Sequence, residues 1–365
     1  MLNVGVVGFY ASGSSAVIDF LKEFDNVGIA LDRDNFGKER PYEHLLFVSS
    51  GGLFDCVNLL TNGNSLYQSD MIINRFIRAN ERQFQNDFVS FGSYKKMFGP
   101  DFQKLYRRFL DDIGASVGGR TTEHKIGVRF SLIYAFVQIA FKILYGRPIV
   151  KLGKKNIYDG QDSYWACPSP EEVCSAAKRY TNGYFELCAQ DKKDIMAYDQ
   201  IVRPQNTDSI KKLFDSNFKV IVVMRDARDI YFLSKYFFSK PPYSLWSAPL
   251  PVDIDQFCRY WKANTTYDPI PGKVLSINFE DMIYKYNETE RTICDFLGLD
   301  VSSHSRRFTS FDPRKSIFNT QTFYQSETTL EESKQIAEKI PECIYDFPYK
   351  HETNLGNIFD TPRKK

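Results

Sequence analysis

The sequence of 365 residues lacks the patterns that mark several common classes of protein. Its seven cysteines form no C-x-x-C pair and are odd in number, which argues against a disulfide framework and a zinc site and favours a reducing compartment. The N-terminus has no basic segment ahead of its first strand, so we expect no signal peptide, a cytoplasmic location and no metal cofactor. A net charge of +2 gives no case for bulk nucleic-acid binding.

Long apolar runs are also missing. The longest, from Phe130 to Tyr145, is interrupted by Ser131, Gln138 and Lys142, whereas a membrane span needs about 20 residues without such charges. These polar positions fall on one narrow stripe of a helix, so the pattern predicts a mostly buried helix. Peripheral contact with a membrane surface stays open as an alternative, because a substrate carried on a lipid would favour it.

A strand, a polar loop and a helix follow one another at the N-terminus. Val4 to Gly8 is an apolar run typical of a buried strand, and an amphipathic helix begins near Ala16. The loop between them contains Tyr10, Ala11, Ser12, Gly13, Ser14 and Ser15. Free amides and the dipole at a helix N-terminus bind phosphate or sulfate, glycine lets the backbone approach the anion, and the serines add donors. We therefore predict an anion site, with a merely Ser-capped helix as the alternative.

The loop also fits a nucleotide-binding pattern with one departure. Gly8 to Ser15 matches G-x-x-x-x-G-K-[S/T], except that Ser14 takes the place of lysine. Kinases and nucleotide triphosphatases use that lysine on the β- and γ-phosphates. The substitution therefore argues against ATP chemistry.

Further apolar strands alternate with helices along the chain. They are predicted at 194–198, 218–224 and 273–277, and the alternation predicts an α/β fold with a central parallel sheet. Polar segments follow two of these strands at positions where open sheets bind ligands, starting at Asp199 and Arg225. The guanidinium groups of Arg225 and Arg228 suit phosphate oxygens, and a salt bridge to a neighbouring aspartate is the alternative.

The middle of the chain has mainly helical periodicity. We predict a single domain, 1–365, with a mostly helical insertion at about 65–165. The insertion holds His124, which is a candidate base, although a loop histidine is more often simply solvated. Elsewhere, helices are predicted from a capping box at Ser169 and from an N-cap at Asn287.

Three segments in this order resemble the sulfotransferases that use 3′-phosphoadenosine-5′-phosphosulfate (PAPS). Residues 10–15, YASGSS, resemble the 5′-phosphosulfate loop, usually P-K-S-G-T-T, and residues 222–229, VVMRDARD, resemble the 3′-phosphate motif, usually R-N-P-[KR]-D. Residues 276–281, SINFED, with 296–298, FLG, resemble the Y-E-D-L and F-L-G element. The resemblance implies a P-loop-like three-layer fold and transfer of a sulfuryl group from PAPS to a hydroxyl or amine, with a carbohydrate or glycolipid as the expected acceptor.

The resemblance also implies roles for individual residues. The loop from Tyr10 to Ser15 would bind the 5′-phosphosulfate, and Arg225 with Ser234 would hold the 3′-phosphate. Arg314 and Lys315 resemble the R-K-G closing loop of the family, with serine in place of its glycine.

The catalytic base is carried over by position. Asp199 stands where the family usually has its catalytic histidine, so we predict Asp199 as the base, with His124 as another source.

Two departures from the family keep alternatives open. Ala11 stands where the loop lysine of the family stabilises the leaving phosphate, and Leu233 stands where it has a serine, with Ser234 one place later. Another cation must then fill in for the lysine, or activity is compromised. A phosphotransferase with a relocated lysine and a nucleotide-binding protein without catalysis are the competing hypotheses, and the oligomeric state is left open.

Overall fold

The computed structural model describes residues 1–9, 11–31, 44–48, 51–62, 66–85, 94–121, 139–140, 143–144, 161–190, 193–240, 250–267, 269–353, 356 and 358. Two compact units divide the chain. The first comprises Met1–Val48, Phe88–Gly92 and Thr181–Lys365, and the second comprises Ser49–Asp87 and Ser93–Tyr180. The single domain with an insertion at about 65–165 stays a prediction.

The described strands, in chain order, are β1 Leu2–Gly8, β2 Val27–Ile29, β3 Ser116–Thr121, β4 Gln161–Trp165, β5 Ile195–Asp199, β6 Phe218–Met224 and β7 Val274–Asn278. The α-helices are α1 Ser14–Lys22, α2 Leu45–Val48, α3 Leu53–Thr61, α4 Leu66–Gln85, α5 Tyr94–Phe98, α6 Pro100–Asp112, α7 Pro170–Cys188, α8 Ile210–Leu213, α9 Ala227–Phe232, α10 Ile254–Thr265, α11 Asp281–Tyr284, α12 Tyr286–Leu297, α13 Pro313–Ser316 and α14 Glu327–Lys339. A π-helix spans Leu233–Phe238, and 3₁₀-helices span Pro204–Ser209, Val301–Ser303, Ile317–Asn319 and Pro341–Cys343.

The first unit is built on a parallel sheet whose spatial order is β2-β5-β1-β6-β7. Its strands are continuous apolar runs because helices cover both faces of the sheet. On one face, Phe20 of α1 and Ile293 of α12 belong to the same buried cluster as Val6. On the other face, the Phe185 ring of α7 lies 4.6 Å from Tyr198 and 5.8 Å from Phe218. The predicted α/β fold with three layers and a central parallel sheet is therefore confirmed.

The register of the sheet gathers the strand ends at one edge. Gly8 of β1 pairs with Val223 of β6, and Met224 of β6 pairs with Asn278 of β7. On the other side of β1, Val6 pairs with Asp199, the last residue of β5. Loops that follow the carboxyl ends of these strands therefore start beside one another, which is the usual ligand edge of an open α/β sheet.

The second unit consists of helices α3 to α6, the first part of α7 and an antiparallel hairpin of β3 and β4. Its core contains the rings of Phe76 and Phe109, with centroids 4.9 Å apart. The buried hydroxyl of Tyr180 donates to Oδ1 of Asn80 at 2.9 Å, so the polar tip of that ring is satisfied inside the core.

The helix boundaries test the capping predictions. At Ser169 the capping box is confirmed, because its amide donates to Oε2 of Glu172 at 2.7 Å and the Glu172 amide donates to its hydroxyl at 3.2 Å. The cap at Asn287 is wrong, since α12 already begins at Tyr286 after N-cap Lys285, which has no side-chain cap. The reason is the short helix α11 directly before it, which runs into α12 and leaves Asn287 inside the first turn.

The apolar run from Phe130 to Tyr145 is only partly described. Ile139, Ile143 and Leu144 are exposed by 58%, 77% and 71%, so the prediction of a mostly buried helix is wrong at these positions. Periodicity shows which side of a helix is apolar but not what covers it. None of the helices in the described part of the chain combines the length and apolar character needed to cross a membrane.

Candidate active site at the carboxyl edge of the sheet

The loop after β1 turns sharply into α1 through two residues with positive φ. Ala11 has a φ of 54°, and Gly13, the N-cap of α1, has a φ of 96° and a ψ of 24°. A Cβ atom at Gly13 would lie 2.5 Å from Cδ2 of Phe279, so only glycine fits there. The turn brings the first amides of α1 to the ligand edge of the sheet.

The serines of the loop are not helix caps. The N-cap position belongs to Gly13, and no side chain caps the first turn of α1. Ser12 is 1% exposed, and its hydroxyl is buried without a hydrogen-bond partner. The Ser14 hydroxyl accepts from Nε2 of Gln200 at 2.8 Å, while Ser15 is exposed. This geometry removes the capping alternative and leaves donors available for an anion, as a helix N-terminus without a side-chain cap requires.

Arg225 brings its guanidinium to this loop. The residue is only 3% exposed, and its Nη1 donates to the carbonyl oxygen of Ala11 at 2.7 Å. Its Nη2 donates to the carbonyl oxygen of Asn319, and its Nε is buried without a partner. The carbon at the centre of the guanidinium lies 5.0 Å from the centroid of the Phe279 ring. The predicted arginine and the predicted loop are thus in direct contact.

Three buried carboxyl groups surround Arg225 and are engaged mainly with the backbone. Asp226 accepts from the amide of Tyr345 at 2.8 Å, and Oε1 of Glu280 accepts from the amide of Asp226 at 2.9 Å. Asp229 accepts from the amides of Gln321 and Thr322 at 2.8 and 2.6 Å and from the Thr322 hydroxyl at 2.7 Å. These bonds fix the segment after β6 to the segments at 280 and 321.

Burial changes the proton affinity of two of these carboxyl groups. It raises the pKa of Glu280 to about 8, with the charge of Asp226 adding to the effect. It raises the pKa of Asp229 to about 6, and the positive charge of Arg225 opposes that rise. At neutral pH Glu280 is therefore largely protonated, which limits the negative charge beside Arg225.

Arg228 realises the salt bridge that sequence reasoning gave as the alternative. It forms a bidentate pair with Asp226, with Nη2 2.7 Å from Oδ2 and Nε 2.9 Å from Oδ1, and it also donates to the carbonyl of Tyr345 at 3.0 Å. Its guanidinium lies 4.6 Å from the ring centroid of Phe323. These contacts make Arg228 a structural residue that holds the C-terminal segment.

The predicted base, Asp199, lies at the same edge. It is 2% exposed and ends β5, next to Gln200, whose side chain bonds Ser14. Its backbone carbonyl accepts from the His44 amide at 2.9 Å, and Nδ1 of His44 lies 3.0 Å from the same oxygen. A carbonyl oxygen can only accept, so Nδ1 carries the proton and the neutral ring has its basic nitrogen at Nε2.

Ser234 lies on the π-helix that follows α9. The residue is 2% exposed, and its hydroxyl accepts from the amide of Leu250 at 2.8 Å. A π-turn absorbs one extra residue relative to an α-helix. This insertion gives a physical reason why the serine stands one place later than the resembled pattern requires.

The last two predicted ligands, Arg314 and Lys315, lie on the exposed helix α13. Arg314 has a side chain that is 80% exposed and forms a bidentate pair with Asp312, at 2.9 Å for each bond. Lys315 is also exposed. Their roles as donor ligands stay predictions, as do those of Tyr10 and His124, which lie outside the described residues.

Four residues of this edge were missed by sequence reasoning. They are His44, Gln200, Phe279 and Asn319. The only signal for His44 was its place in a chain with four histidines, directly after the charged loop 32–43. The others have no signal, because their contacts depend on which strands are neighbours.

Comparisons with known proteins identify the C-terminal part of this site. Residues 184–345 match the family model described as the sulfotransferase domain. No curated protein matches the chain significantly. Among solved structures, the chain is similar to a sulfotransferase domain from the Synechococcus PCC 7002 olefin synthase, at 13% identity, 95% coverage of both chains and a TM-score of 0.38. It is also similar to a sulfotransferase domain from the curacin biosynthetic pathway, at 13% identity, 95% coverage of this chain, 98% of the other and a TM-score of 0.35.

The family match covers β5, the Arg225 segment and β7, and it begins well after the N-terminal loop. The structure joins that loop to the matched region through the contact between Arg225 and Ala11. Over residues 184–345 the chain is a sulfotransferase domain, and the sulfotransferase resemblance and enzyme class predicted from its motifs are confirmed.

Proposed function

We propose that the protein transfers a sulfuryl group from PAPS to a hydroxyl or amine acceptor, with a carbohydrate or glycolipid as the acceptor class. One observation carries the proposal. Arg225 lies within the segment that matches the sulfotransferase domain, and its guanidinium contacts Ala11 in the loop at the N-terminus of α1. Two motifs that were predicted separately for the two ends of one nucleotide therefore belong to one site.

The reaction assigns a task to each part of this site. The acceptor oxygen or nitrogen attacks sulfur, the bond between sulfur and the 5′-phosphate oxygen breaks, and the electron pair leaves with the phosphate. Ser12, the amides of α1 and a nearby cation would stabilise that leaving charge, which is the kind of preorganised contact that is worth about 2.7–4 kcal/mol in other enzymes. The proton of the acceptor passes to a base.

We propose Asp199 as that base and His44 as its competitor. Asp199 is supported by its position at the end of β5, beside Gln200, which contacts Ser14. His44 is supported by its contact with the Asp199 carbonyl, which selects the tautomer with a basic Nε2.

The matched variants Asp199→Asn and His44→Gln separate the two candidates. Loss of a general base lowers kcat by about 100- to 10,000-fold, with little effect on nucleotide affinity. If Asp199→Asn keeps near-normal turnover and His44→Gln does not, His44 is the base.

A glycolipid acceptor would bring the protein to a membrane surface, and we include peripheral membrane contact in the proposal. The exposed side chains of Ile139, Ile143 and Leu144 support it. Flotation with liposomes should recover less of an Ile143→Glu variant than of the wild type. Equal recovery would remove this contact from the proposal.

The two competing functions are separated by nucleotide binding. A thermal-shift titration compares adenosine 3′,5′-bisphosphate, the desulfated product of PAPS, with ATP. A ligand at 100 times its Kd stabilises the protein by about 2.7 kcal/mol, a readily measured shift. Stabilisation by the bisphosphate and not by ATP is expected. Stabilisation by ATP alone would favour a phosphotransferase, and binding without turnover would favour a protein without catalysis.

A further inference from the structure

The structure offers a cation for the loop that lacks its lysine. We propose that Arg225 serves the 5′-phosphosulfate end of the donor from the position that Ala11 leaves without charge, and does not hold the 3′-phosphate. The inference rests on the proposed function and names the contact that the site uses for the leaving phosphate.

The first argument is the place of the guanidinium. Its Nη1 donates to the carbonyl of Ala11 at 2.7 Å, so the charge lies at the residue where the resembled loop has lysine. The guanidinium also lies over the ring of Phe279, 5.0 Å from its centroid. That ring is in van der Waals contact with the N-cap Gly13, as the 2.5 Å distance of a built Cβ shows. Arg225 is therefore beside the amides that begin α1.

The second argument is that two buried donors of the site are unsatisfied. Nε of Arg225 and the hydroxyl of Ser12 each lack a hydrogen-bond partner, and the two residues are 3% and 1% exposed. Buried polar groups are nearly always paired, so two orphans at one loop need an explanation. An anion bound between the loop and Arg225 would accept from both.

The third argument concerns charge. The partners of the two Nη atoms are the backbone carbonyls of Ala11 and Asn319, which carry no net charge. Among the neighbouring carboxyl groups, Asp226 pairs with Arg228, and Asp229 directs its oxygens to residues 321 and 322. The positive charge of Arg225 is thus held at the loop without a carboxylate bonded to it, where a phosphate oxygen can compete with the carbonyls.

Nucleotides with a single phosphate distinguish the two assignments. Calorimetry measures the affinity of the full-length protein for 5′-AMP, for 3′-AMP and for adenosine 3′,5′-bisphosphate. Arg225→Gln should weaken 5′-AMP and the bisphosphate by about 10- to 100-fold, the loss expected for one bond to a charged group. Affinity for 3′-AMP should change by less than about threefold.

A second-site lysine provides the rescue. In the Arg225→Gln background, Ala11→Lys puts the cation back at the loop and should recover most of the lost affinity for 5′-AMP. Arg306→Gln is the matched control, because Arg306 also donates to backbone carbonyls of the α1 region, at Lys22 with 2.6 Å and at Phe24 with 3.5 Å, but at the far end of the helix. It should leave all three affinities within about twofold.

The outcomes separate this inference from the proposed function. Loss of 3′-AMP and bisphosphate binding with unchanged 5′-AMP binding would return Arg225 to the 3′-phosphate and overturn the inference alone. A wild type that binds none of the three nucleotides would overturn the proposed function and the inference with it. Circular dichroism establishes whether Arg225→Gln folds, and if it does not, Arg225→Lys replaces it, with the same selective loss for the 5′-phosphate expected and uniform losses contradicting the inference.

Discussion

At the scale of single residues, the site depends on a few positions where only one residue type fits. Gly13 combines a φ of 96° with the closest approach to Phe279, whereas Ala11 takes a φ of 54° with a side chain that meets no such obstacle on the page. The backbone of this loop is therefore fixed by a contact between the first strand and the residue that follows the last strand of the sheet.

The substitution Gly13→Ala should destabilise the protein and abolish nucleotide binding. A positive φ costs an alanine about 1–2 kcal/mol, and the clash with Phe279 adds to this cost. Gly298→Ala is the matched control, because Gly298 has a φ of 73° with no atom within 4 Å of a built Cβ. Urea unfolding should therefore show a larger loss for the Gly13 variant. Equal losses would mean that the Phe279 contact does not constrain the loop.

Glu280 should make stability fall as pH rises. Burial raises its pKa in the folded protein from 4.5 to about 8, so the folded state binds more protons than the unfolded state between these values. Stability from this group is full below about pH 4.5 and is lost as pH rises through about 8, with a slope of up to about 1.4 kcal/mol per pH unit.

Glu280→Gln keeps the shape of the protonated carboxyl and should remove that slope. Urea unfolding between pH 6.5 and 8 is the measurement, since the pKa of Asp229, raised to about 6, contributes little there. Identical pH profiles for the wild type and Glu280→Gln would show that Glu280 is not protonated in the folded protein.

At the scale of elements, α1 is anchored at the end opposite the loop. His304 is buried between two carboxylates, with Nε2 2.7 Å from Oε2 of Glu23 and Nδ1 2.6 Å from Oε1 of Glu290. Glu23 also accepts from the amides of residues 308, 310 and 311, and Arg307 forms a bidentate pair with Glu290. This buried network fixes the C-terminal end of α1 and hence the direction in which its N-terminus points.

His304→Gln should lower stability by about 3–5 kcal/mol, because it leaves two buried carboxylates without their shared donor. Urea unfolding at pH 7 is the measurement. Lys334→Gln, which breaks an exposed pair with Glu331 at 3.6 Å, is the control and should cost less than about 1 kcal/mol. A His304 variant as stable as this control would show that the network does not hold α1.

At the scale of the whole molecule, the elements with strong local signals were predictable and the contacts between them were not. β1 and β6 are continuous apolar runs, and the capping box at Ser169 is a local pattern, so each was found from neighbouring residues alone. The Asn287 cap failed because α11 precedes it without a break. The contact of Arg225 with Ala11 joins residues 214 positions apart and follows from the pairing of β1 with β6.

The central claim is that the loop after β1 and the segment after β6 together bind a sulfuryl donor and transfer its sulfuryl group. The most direct test is incubation of the full-length protein with PAPS carrying labelled sulfur and a panel of sugars, glycolipids and phenols. We predict transfer of the label to a hydroxyl or amine acceptor, and transfer at least about tenfold slower for a Ser12→Ala, Ser14→Ala variant. Release of the label only as free sulfate, or equal transfer by the wild type and this variant, would contradict the account.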